Sequence, residues 1–330
     1  ASTARPSDLP DPVLSGGGRF GDGVFEGFGD VLAPVILLKD GIVFINPRAT
    51  FSDNDEEEYN LGVGYRHLVG NRNMILGANV YYDYRQTQSD AEFDQVGVGL
   101  EFLSDWVDAR ANYYWPEDDP ELIDEFDTET VTSSSSSSTE WYDPYAAGHS
   151  ILQSGLTTRR TTVTTTRQHF EQYEQAMEGW DAEVGVKLPI PGVDEYMDVK
   201  LFGGWYSFDG SFGAEDIEGV KGRLEVRALP AVYLDAEVYE DEELNGSDYY
   251  VGARVSVPFD VAKISRGRNP FDGKDFQSSK KEVPFASRLT EMVMRDLHVR
   301  TEVSPITEIL EERQVTSDTS TSHAPARDTL

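Results

Sequence analysis

The chain has 330 residues, with 28 Lys and Arg against 60 Asp and Glu, which gives a formal net charge of -32 at pH 7. This acidic excess argues strongly against nucleic acid as a partner, because phosphate binding needs basic side chains. The chain contains no cysteine, so a disulfide framework, a thiol nucleophile and a thiolate metal site are all excluded. No apolar run approaches the roughly 20 residues of a transmembrane helix, which excludes a helical membrane protein but not a β-barrel.

The first part of the chain is predicted to enter a sheet after a flexible start. Residues 1–18 are rich in Pro, Ser and Gly, which is typical of a flexible N-terminal segment. The first three strands are predicted over Arg19–Phe28, Val31–Leu38 and Ile42–Phe51. A hairpin signal, Lys39-Asp40-Gly41, separates the last two. The acidic stretch SDNDEEE follows at 52–58 and is expected to form a long loop.

Residues 59–115 carry the clearest pattern, four successive segments in which two kinds of side chain alternate. In the first segment, Leu61, Val63 and Tyr65 alternate with Gly62, Gly64 and Arg66. A period of two places one set on each face of a sheet, so one face is apolar and the other carries glycine, amide and charged groups. Aromatic residues gather at two strand ends, as they do at a membrane interface. They are Tyr81, Tyr82, Tyr84, Tyr113, Tyr114 and Trp115.

Residues 116–178 interrupt this alternation. They contain the acidic stretch EDDPELIDEFD and six consecutive serines that begin at Ser133. The serine run has low complexity and is expected to be mobile. Thr157–Tyr173 is rich in β-branched residues, which favour strands that extend beyond the membrane. We predict that 116–178 is a long external loop insertion.

The alternation resumes at Trp180 and predicts five further strands, which brings the total to twelve. They cover Trp180–Leu188, Met197–Phe208, Val220–Arg227, Val232–Val238 and Val251–Val255. A soluble sandwich would bury the apolar face in a core, whereas an outer-membrane barrel would present it to lipid and line its lumen with the polar face.

The lengths of the connections favour the barrel. Short and long connections alternate along the chain, so all short turns share one end and the long loops share the other, as in outer-membrane barrels. A soluble sandwich has no reason to sort its loops in this way. We therefore predict an all-β fold, a transmembrane antiparallel up-and-down β-barrel of about 12 strands over residues 19–258. Both ends of the barrel are expected in the periplasm of a bacterium.

Residues 259–330 form a segment that follows the barrel. Residues 266–281 are polar and basic. Over 286–299, the apolar positions Leu289, Met292, Val293 and Leu297 recur at helical spacing, which predicts a short C-terminal helix. This helix could be a plug or a partner-binding helix, but packing on the inner wall of the barrel or on its periplasmic rim is the simpler interpretation of its apolar face. From Val303 the chain is predicted to be extended and then to form a flexible Thr/Ser-rich tail.

Several stretches resemble the β-barrel of the inverse autotransporters, the intimin and invasin family. The matching motifs are VLAPVILLKDGIVF, NLGVGYRHL, MILGANVYYDY, VGVGLEFLSDWVDARANYY, GWDAEVGVKLPIPG and, after the barrel, RLTEMVMRDLHV. The resemblance implies a twelve-stranded outer-membrane barrel and a following segment that returns through the pore to present an adhesive passenger. Two departures from the family are expected: 116–178 is far longer than the usual loop, and 330 residues leave no room for immunoglobulin-like passenger domains after the barrel.

A ladder of charged side chains is predicted to face the lumen. It comprises Arg66, Asp83, Glu101, Asp108, Arg110, Glu183, Lys187, Lys200, Arg223, Glu225, Arg227, Glu237 and Arg254. These residues could line a pore and tune its ion selectivity. We favour the alternative, in which they pair across strands and fill the lumen or cradle the returning segment, because the pore is normally occupied in the family that the chain resembles.

The sequence offers little support for catalysis or for cofactor binding. The five histidines are scattered, and neither HExxH, GxSxG nor a P-loop is present. The two acidic stretches lack the spacing of a dedicated calcium loop, so they are interpreted as solvated loops. We therefore predict no catalytic residue, no metal site and no cofactor.

The function that fits these features best is a membrane anchor or display scaffold in the outer membrane. Its partners would be outer-membrane lipid and a surface partner, or a second copy, that contacts the loop at 116–178. A passive, porin-like channel is the first alternative. A soluble acidic β protein of an external coat is the second.

Overall fold

The computed structural model describes residues 10–21, 23–117, 119–142, 144–194, 196–210, 213, 215–241, 246–272, 284–296 and 298–327. The chain divides into two compact units, each described by itself. The first contains residues 1–123 and 173–305, and the second contains 124–172 and 306–330. No helix among the described residues is long and apolar enough to cross a membrane.

Strands make up most of the described chain. They are β1 (Val13–Gly21), β2 (Val24–Leu38), β3 (Gly41–Ser52), β4 (Glu57–Val69), β5 (Met74–Gln86), β6 (Glu92–Ser104), β7 (Val107–Pro116), β8 (Glu121–Trp141), β9 (Tyr145–Ala147), β10 (Ser150–Ala176), β11 (Glu178–Lys187), β12 (Asp198–Asp209), β13 (Ile217–Leu229), β14 (Val232–Asp241), β15 (Gly246–Pro258), β16 (Thr301–Val303) and β17 (Thr307–Arg327). The helices among the described residues are short: α1 (Val261–Ile264) and two 3-10 helices, Gly70–Arg72 and Phe285–Thr290.

Twelve antiparallel strands close into a barrel, in the order β1 to β7 and then β11 to β15. Closure occurs where β1 pairs with β15, with Val13 opposite Pro258. The insertion does not interrupt the wall, because β7 pairs directly with β11. The predicted barrel is confirmed, and a sandwich of two sheets is excluded.

The period of two sets the two faces of this wall. Leu61 and Val63 are more than half exposed on the outer face, whereas Arg66 is 1% exposed on the inner face. Inward glycines leave room for rings: a Cβ on Gly64 would lie 2.2 Å from Cζ of Phe44. A sheet that turns its aliphatic side chains outward and buries its charges has the polarity expected in lipid.

The N-terminal strands differ from the prediction. Residues 13–18 are part of β1 and not of a flexible segment, while residues 1–9 lie outside the described residues. The two strands predicted over 19–38 meet at a different place. Gly23, with φ +82°, turns the chain inside the first predicted strand, so β1 ends at Gly21 and β2 begins at Val24. β2 then continues through Pro34, where a bulge between Pro34 and Ile36 accommodates the residue that lacks an N–H.

The connections mostly follow the predicted alternation. Both barrel termini and the tight turns after β2, β4, β6 and β13 lie at one end, here called the turn end. The opposite loop end carries the longer connections and the insertion after β7. Two connections differ in length from this pattern: 188–197 is long at the turn end, and only two residues separate β1 from β2 at the loop end.

The chain after the barrel returns into the lumen. The described residues 284–296 and 298–305, here called the lumenal segment, begin with the 3-10 helix at the turn end, continue without regular structure and end just after β16. A short helix near the C-terminus was expected and is present, but the predicted helix over 286–299 ends at Thr290. Leu297, one of its predicted apolar positions, lies outside the described residues.

The second unit is a long, narrow sheet and not a mobile loop. β10 is the central strand, because it pairs both with β8 and with β17. The serine run lies within β8, and the Thr-rich stretch forms much of β10, as its β-branched content indicated. The tail that was predicted to be flexible forms β17, a strand of 21 residues.

Candidate functional site

The candidate site is the barrel lumen, where inward side chains hold the lumenal segment. At the turn end, Arg288 of this segment donates two hydrogen bonds to Asp108 of β7, of 3.0 and 2.8 Å. Arg288 also donates to the carbonyl of Ser104 at 2.5 Å. Lys200 adds a second cation beside Asp108, at 2.5 Å. This cluster fixes the point where the chain enters the lumen.

Further along, arginines from the wall take the place of helical hydrogen bonds. Arg66 forms a two-pronged ion pair with Glu101, at 2.8 and 3.1 Å. Its remaining terminal nitrogen donates to the carbonyls of Leu289, at 3.1 Å, and of Glu291. The chain is extended from Glu291, where its apolar spacing predicted that the helix would continue, and the Glu291 carbonyl accepts from the wall.

A hydrophobic cluster lies beside these arginines on the inner wall. Leu289 and Val293 of the lumenal segment pack against it, and Val293 is 0% exposed. The cluster comprises Leu32, Ile42, Phe44, Leu68, Ile75, Tyr81, Leu103, Leu289 and Val293. The lumen therefore contains a small hydrophobic core of its own, in contact with polar groups such as Arg66, which lies 5.3 Å from the ring centre of Phe44.

Arg295 occupies the centre of the site. Both of its terminal nitrogens donate to the carboxylate of Asp83, each at 2.6 Å. Its guanidinium lies 4.6 Å from the ring centre of Tyr81 and 5.2 Å from that of Tyr114. The buried guanidinium is therefore stabilised by one carboxylate and by the faces of two aromatic rings.

At the loop end, His298 lies between two carboxylates. Its Nδ1 is 3.2 Å from Glu58 and its Nε2 is 3.0 Å from Glu26. The backbone N–H of Val299 also donates to Glu58, at 3.1 Å, and Arg85 donates to the carbonyl of Val299. The lumenal segment is thus held at its entry, at its centre and at its exit.

On the opposite wall, side chains of β7, β11, β13 and β15 form a network of ion pairs with one another. Glu183 accepts from Arg110 at 2.7 Å and from Arg223 at 2.6 Å. Glu225 in turn pairs with Arg223 at 3.3 Å and with Arg254 at 3.1 Å. A cavity of about 70 Å³ separates this wall from the lumenal segment, which is space for only a few water molecules.

The structure places the predicted inward charges as follows. Nine are at most 6% exposed: Arg66, Asp83, Glu101, Asp108, Arg110, Glu183, Arg223, Glu225 and Arg254. Lys200 is partly buried beside Asp108, and Glu237 lines the cavity. Lys187 pairs with Asp198 at 2.5 Å, and Arg227 donates to the carbonyl of Pro230, so both lie near the turn end.

Sequence reasoning missed several residues of this site. Tyr81 and Tyr114 were assigned to a membrane interface, but both are 1% exposed and face the lumen. Their place in the alternation, opposite in parity to Tyr82 and Trp115, was the signal that could have identified them. Arg48 donates to Asp30 at 3.2 Å and to the carbonyl of Val293 at 2.8 Å. Among the described residues, no three His, Asp or Glu side chains are grouped so that they could hold a metal ion.

Comparison with known proteins agrees with this architecture. The family described as "Inverse autotransporter, beta-domain" matches residues 26–269. This chain belongs to the inverse autotransporter family. The inverse autotransporter barrel is an outer-membrane anchor, and the chain is therefore a bacterial outer-membrane protein in contact with membrane lipid.

Several solved structures resemble this chain at low sequence identity, and the first of them supports the fold. One, titled "Unveiling the Mechanism Behind the in-meso Crystallization of Membrane Proteins", is 15% identical with a TM-score of 0.57, over 89% of this inverse autotransporter and 100% of that chain. Two others are more distant. The outer membrane protein Omp33 from Acinetobacter baumannii is 10% identical over 76% of this chain and 98% of its own (TM-score 0.34), and the NanC porin is 9% identical over 74% and 98% (TM-score 0.37). A search of curated proteins finds no match.

Proposed function

We propose that this inverse autotransporter displays its second unit on the cell surface, with the turn end of the barrel in the periplasm. The supporting observation is the path of the lumenal segment, which contacts Asp108 near the turn end and Glu58 at the loop end. A chain that follows this path carries everything after residue 305 out through the loop end. The inserted residues 124–172 leave the wall between β7 and β11, also at the loop end.

In this proposal the inward charges position the lumenal segment and do not select ions. Arg66, Asp83 and Asp108 each contact that segment directly. Truncating one partner of such a pair would leave a buried charge without compensation. The role is mechanical and non-enzymatic, since it requires pairing and packing but no reacting group.

The displayed unit would make the contacts with surface partners or with a second copy of the chain. Its two long outer strands, β8 and β17, expose nearly all of their described side chains. Exposed strand edges offer unpaired N–H and C=O groups to another strand. The acidic excess keeps such a sheet hydrated while it is unbound.

Labelling of intact cells tests this assignment. A single cysteine at Ser135, in the serine run of β8, should react with a membrane-impermeant maleimide. A cysteine at Ser265, after α1 at the turn end, should react only after the outer membrane is permeabilised. Equal labelling of both before permeabilisation, or of Ser265 alone, would reject the proposed orientation.

A further inference from the structure

The central strand of the second unit pairs with the end of the chain along almost its whole length. β10 has 27 residues, whereas the strands of the barrel wall have 9 to 15. Its pairing with β17 runs from Glu171 opposite Thr307 to Leu152 opposite Arg327. β10 also pairs with β16, from Glu174 opposite Val303 to Ala176 opposite Thr301. One inserted strand thus contacts both β16, at the end of the lumenal segment, and β17, which follows that segment.

This pairing begins where the chain leaves the lumen. Met177, directly after β10, donates its N–H to the carbonyl of Arg300 at 2.8 Å. The N–H of Ser304 then donates to the carbonyl of Tyr173 at 2.7 Å. After Arg300, residues 301–303 pair with β10, and the pairing resumes at Thr307. The order of contacts is the order in which a threaded chain would emerge.

The charges of the strands are complementary. β8 has six acidic residues and no basic residue, and β17 has four acidic and two basic residues. From 150 to 170, β10 carries three arginines and no acidic residue. Arg160 donates to both carboxylate oxygens of Asp318 on β17, at 2.9 and 3.0 Å. Arg167 pairs with Glu129 on β8, at 2.9 Å. Because opposite charges on neighbouring strands attract, the arginines of the central strand stabilise its pairing with the two acidic strands beside it.

Backbone hydrogen bonds show which residues of β10 bond to β17 and which bond to β8. The carbonyl of Tyr173 accepts from Ser304 on the C-terminal side, and the carbonyl of Ser154 accepts from Tyr142, next to β8. Backbone groups alternate in direction along a strand, so odd-numbered residues of β10 bond to β17 and even-numbered ones bond to β8. Val163 and its partner Val315 are therefore a hydrogen-bonded pair. Without β17, these odd-numbered groups would form one long open edge.

We propose that the hairpin of β8 and β10 is a receptor for a later segment of the same chain. It captures residues 301–327 by strand addition as they emerge from the lumen, and their pairing prevents return. Capture begins at Arg300 and advances residue by residue along β10, so each new pair retains a further length of emerged chain. This inference rests on the proposed surface display and gives the insertion at 116–178 a role that needs no external partner.

Proline pairs on β17 test the proposal in the full chain. Val315→Pro with Ser317→Pro removes two N–H groups that point to β10. Gln314→Pro with Thr316→Pro is the matched control, because those N–H groups point to the outer edge, where proline is tolerated. An epitope after Leu330 is detected with antibody on intact cells at intervals after a synthesis pulse. Protease cleavage between residues 306 and 327 is measured on the same cells.

We expect the inward prolines to delay the appearance of the epitope and to raise cleavage by about tenfold or more, because each removes a ladder bond and opens the pair. The control pair should behave as the wild type. If both pairs match the wild type, or if both delay the epitope equally, the proposal is wrong.

Two measurements separate this outcome from a failure of the proposed display. Heat-modifiable migration reports the folded barrel, and labelling of a cysteine at Ser135 reports the surface position of the hairpin. Normal results in both, with no difference between the proline pairs, would reject strand capture alone. Absence of Ser135 labelling in the parent chain would instead reject surface display.

Discussion

Arg295 and Asp83 form a two-pronged ion pair inside the barrel, with both nitrogen–oxygen distances at 2.6 Å. Their side chains are 4% and 0% exposed, so neither charge is hydrated from outside. One residue belongs to the lumenal segment and the other to β5 in the wall. Because two buried charges tolerate little displacement, this pair fixes the position of the segment along the lumen.

Removing one partner of the Arg295–Asp83 pair should lower the free energy of unfolding much more than removing both partners. Arg295→Ala leaves the Asp83 carboxylate buried without its cation, and we expect a loss of about 3–5 kcal/mol in the free energy of unfolding. Adding Asp83→Ala to this variant should recover part of that loss. Denaturant-induced unfolding in detergent micelles measures both. A double variant that is as unstable as the sum of the two single variants would contradict the assigned coupling.

Removal of the lumenal segment should open a conducting pore. Deleting 284–330 takes away the chain that packs on the inner wall, whereas deleting 306–330 leaves that chain in place. We expect higher single-channel conductance in planar bilayers for the first deletion and wild-type conductance for the second. If the first deletion folds, as judged by heat-modifiable migration, and conducts no more than the wild type, the lumenal segment is not the barrier.

The wall of the barrel could be predicted from the sequence because its period of two is local. Asp108 and Arg110 follow each other on one face of β7, and both are buried as that alternation requires. The local pattern could not show that the helix predicted over 286–299 ends early. The carbonyls of Leu289 and Val293 accept hydrogen bonds from Arg66 and Arg48, which lie more than 200 residues away in the chain. Local spacing contains no information about such distant donors.

The second unit illustrates the same limit. The β-branched residues around Val163 indicated a strand, but composition alone made the serine run a mobile loop and the C-terminal tail flexible. The partner of the Thr-rich strand is distant, since Arg160 and Asp318 are separated by 158 residues. A serine run has no packing preference of its own, so its conformation is set by the strand beside it.

A substitution at Gly64 should test how closely the Phe44 ring packs against the barrel wall. A Cβ there would lie 2.2 Å from Phe44, whose ring is 1% exposed and has little room to move. We expect Gly64→Ala to cost about 1–3 kcal/mol through overpacking. The temperature at which the folded band disappears on a gel measures this loss. Gly203→Ala is the control, because nothing lies within 4 Å of the position that a Cβ would take there, and an equal loss in both variants would contradict the explanation.

The pH dependence of the second unit should centre on His169. Hydrogen bonds to Asp127, at 2.7 Å, and to Glu171, at 3.1 Å, raise the pKa of His169 above its ordinary value. A raised pKa means that this contribution to strand pairing is complete below about pH 6.5 and is lost as pH rises through the folded-state pKa. Hydrogen exchange in β8 around Asp127, corrected for intrinsic rates, should therefore accelerate with increasing pH. His169→Gln should remove that acceleration, and a parent chain whose corrected exchange slows over the same range would contradict the assignment.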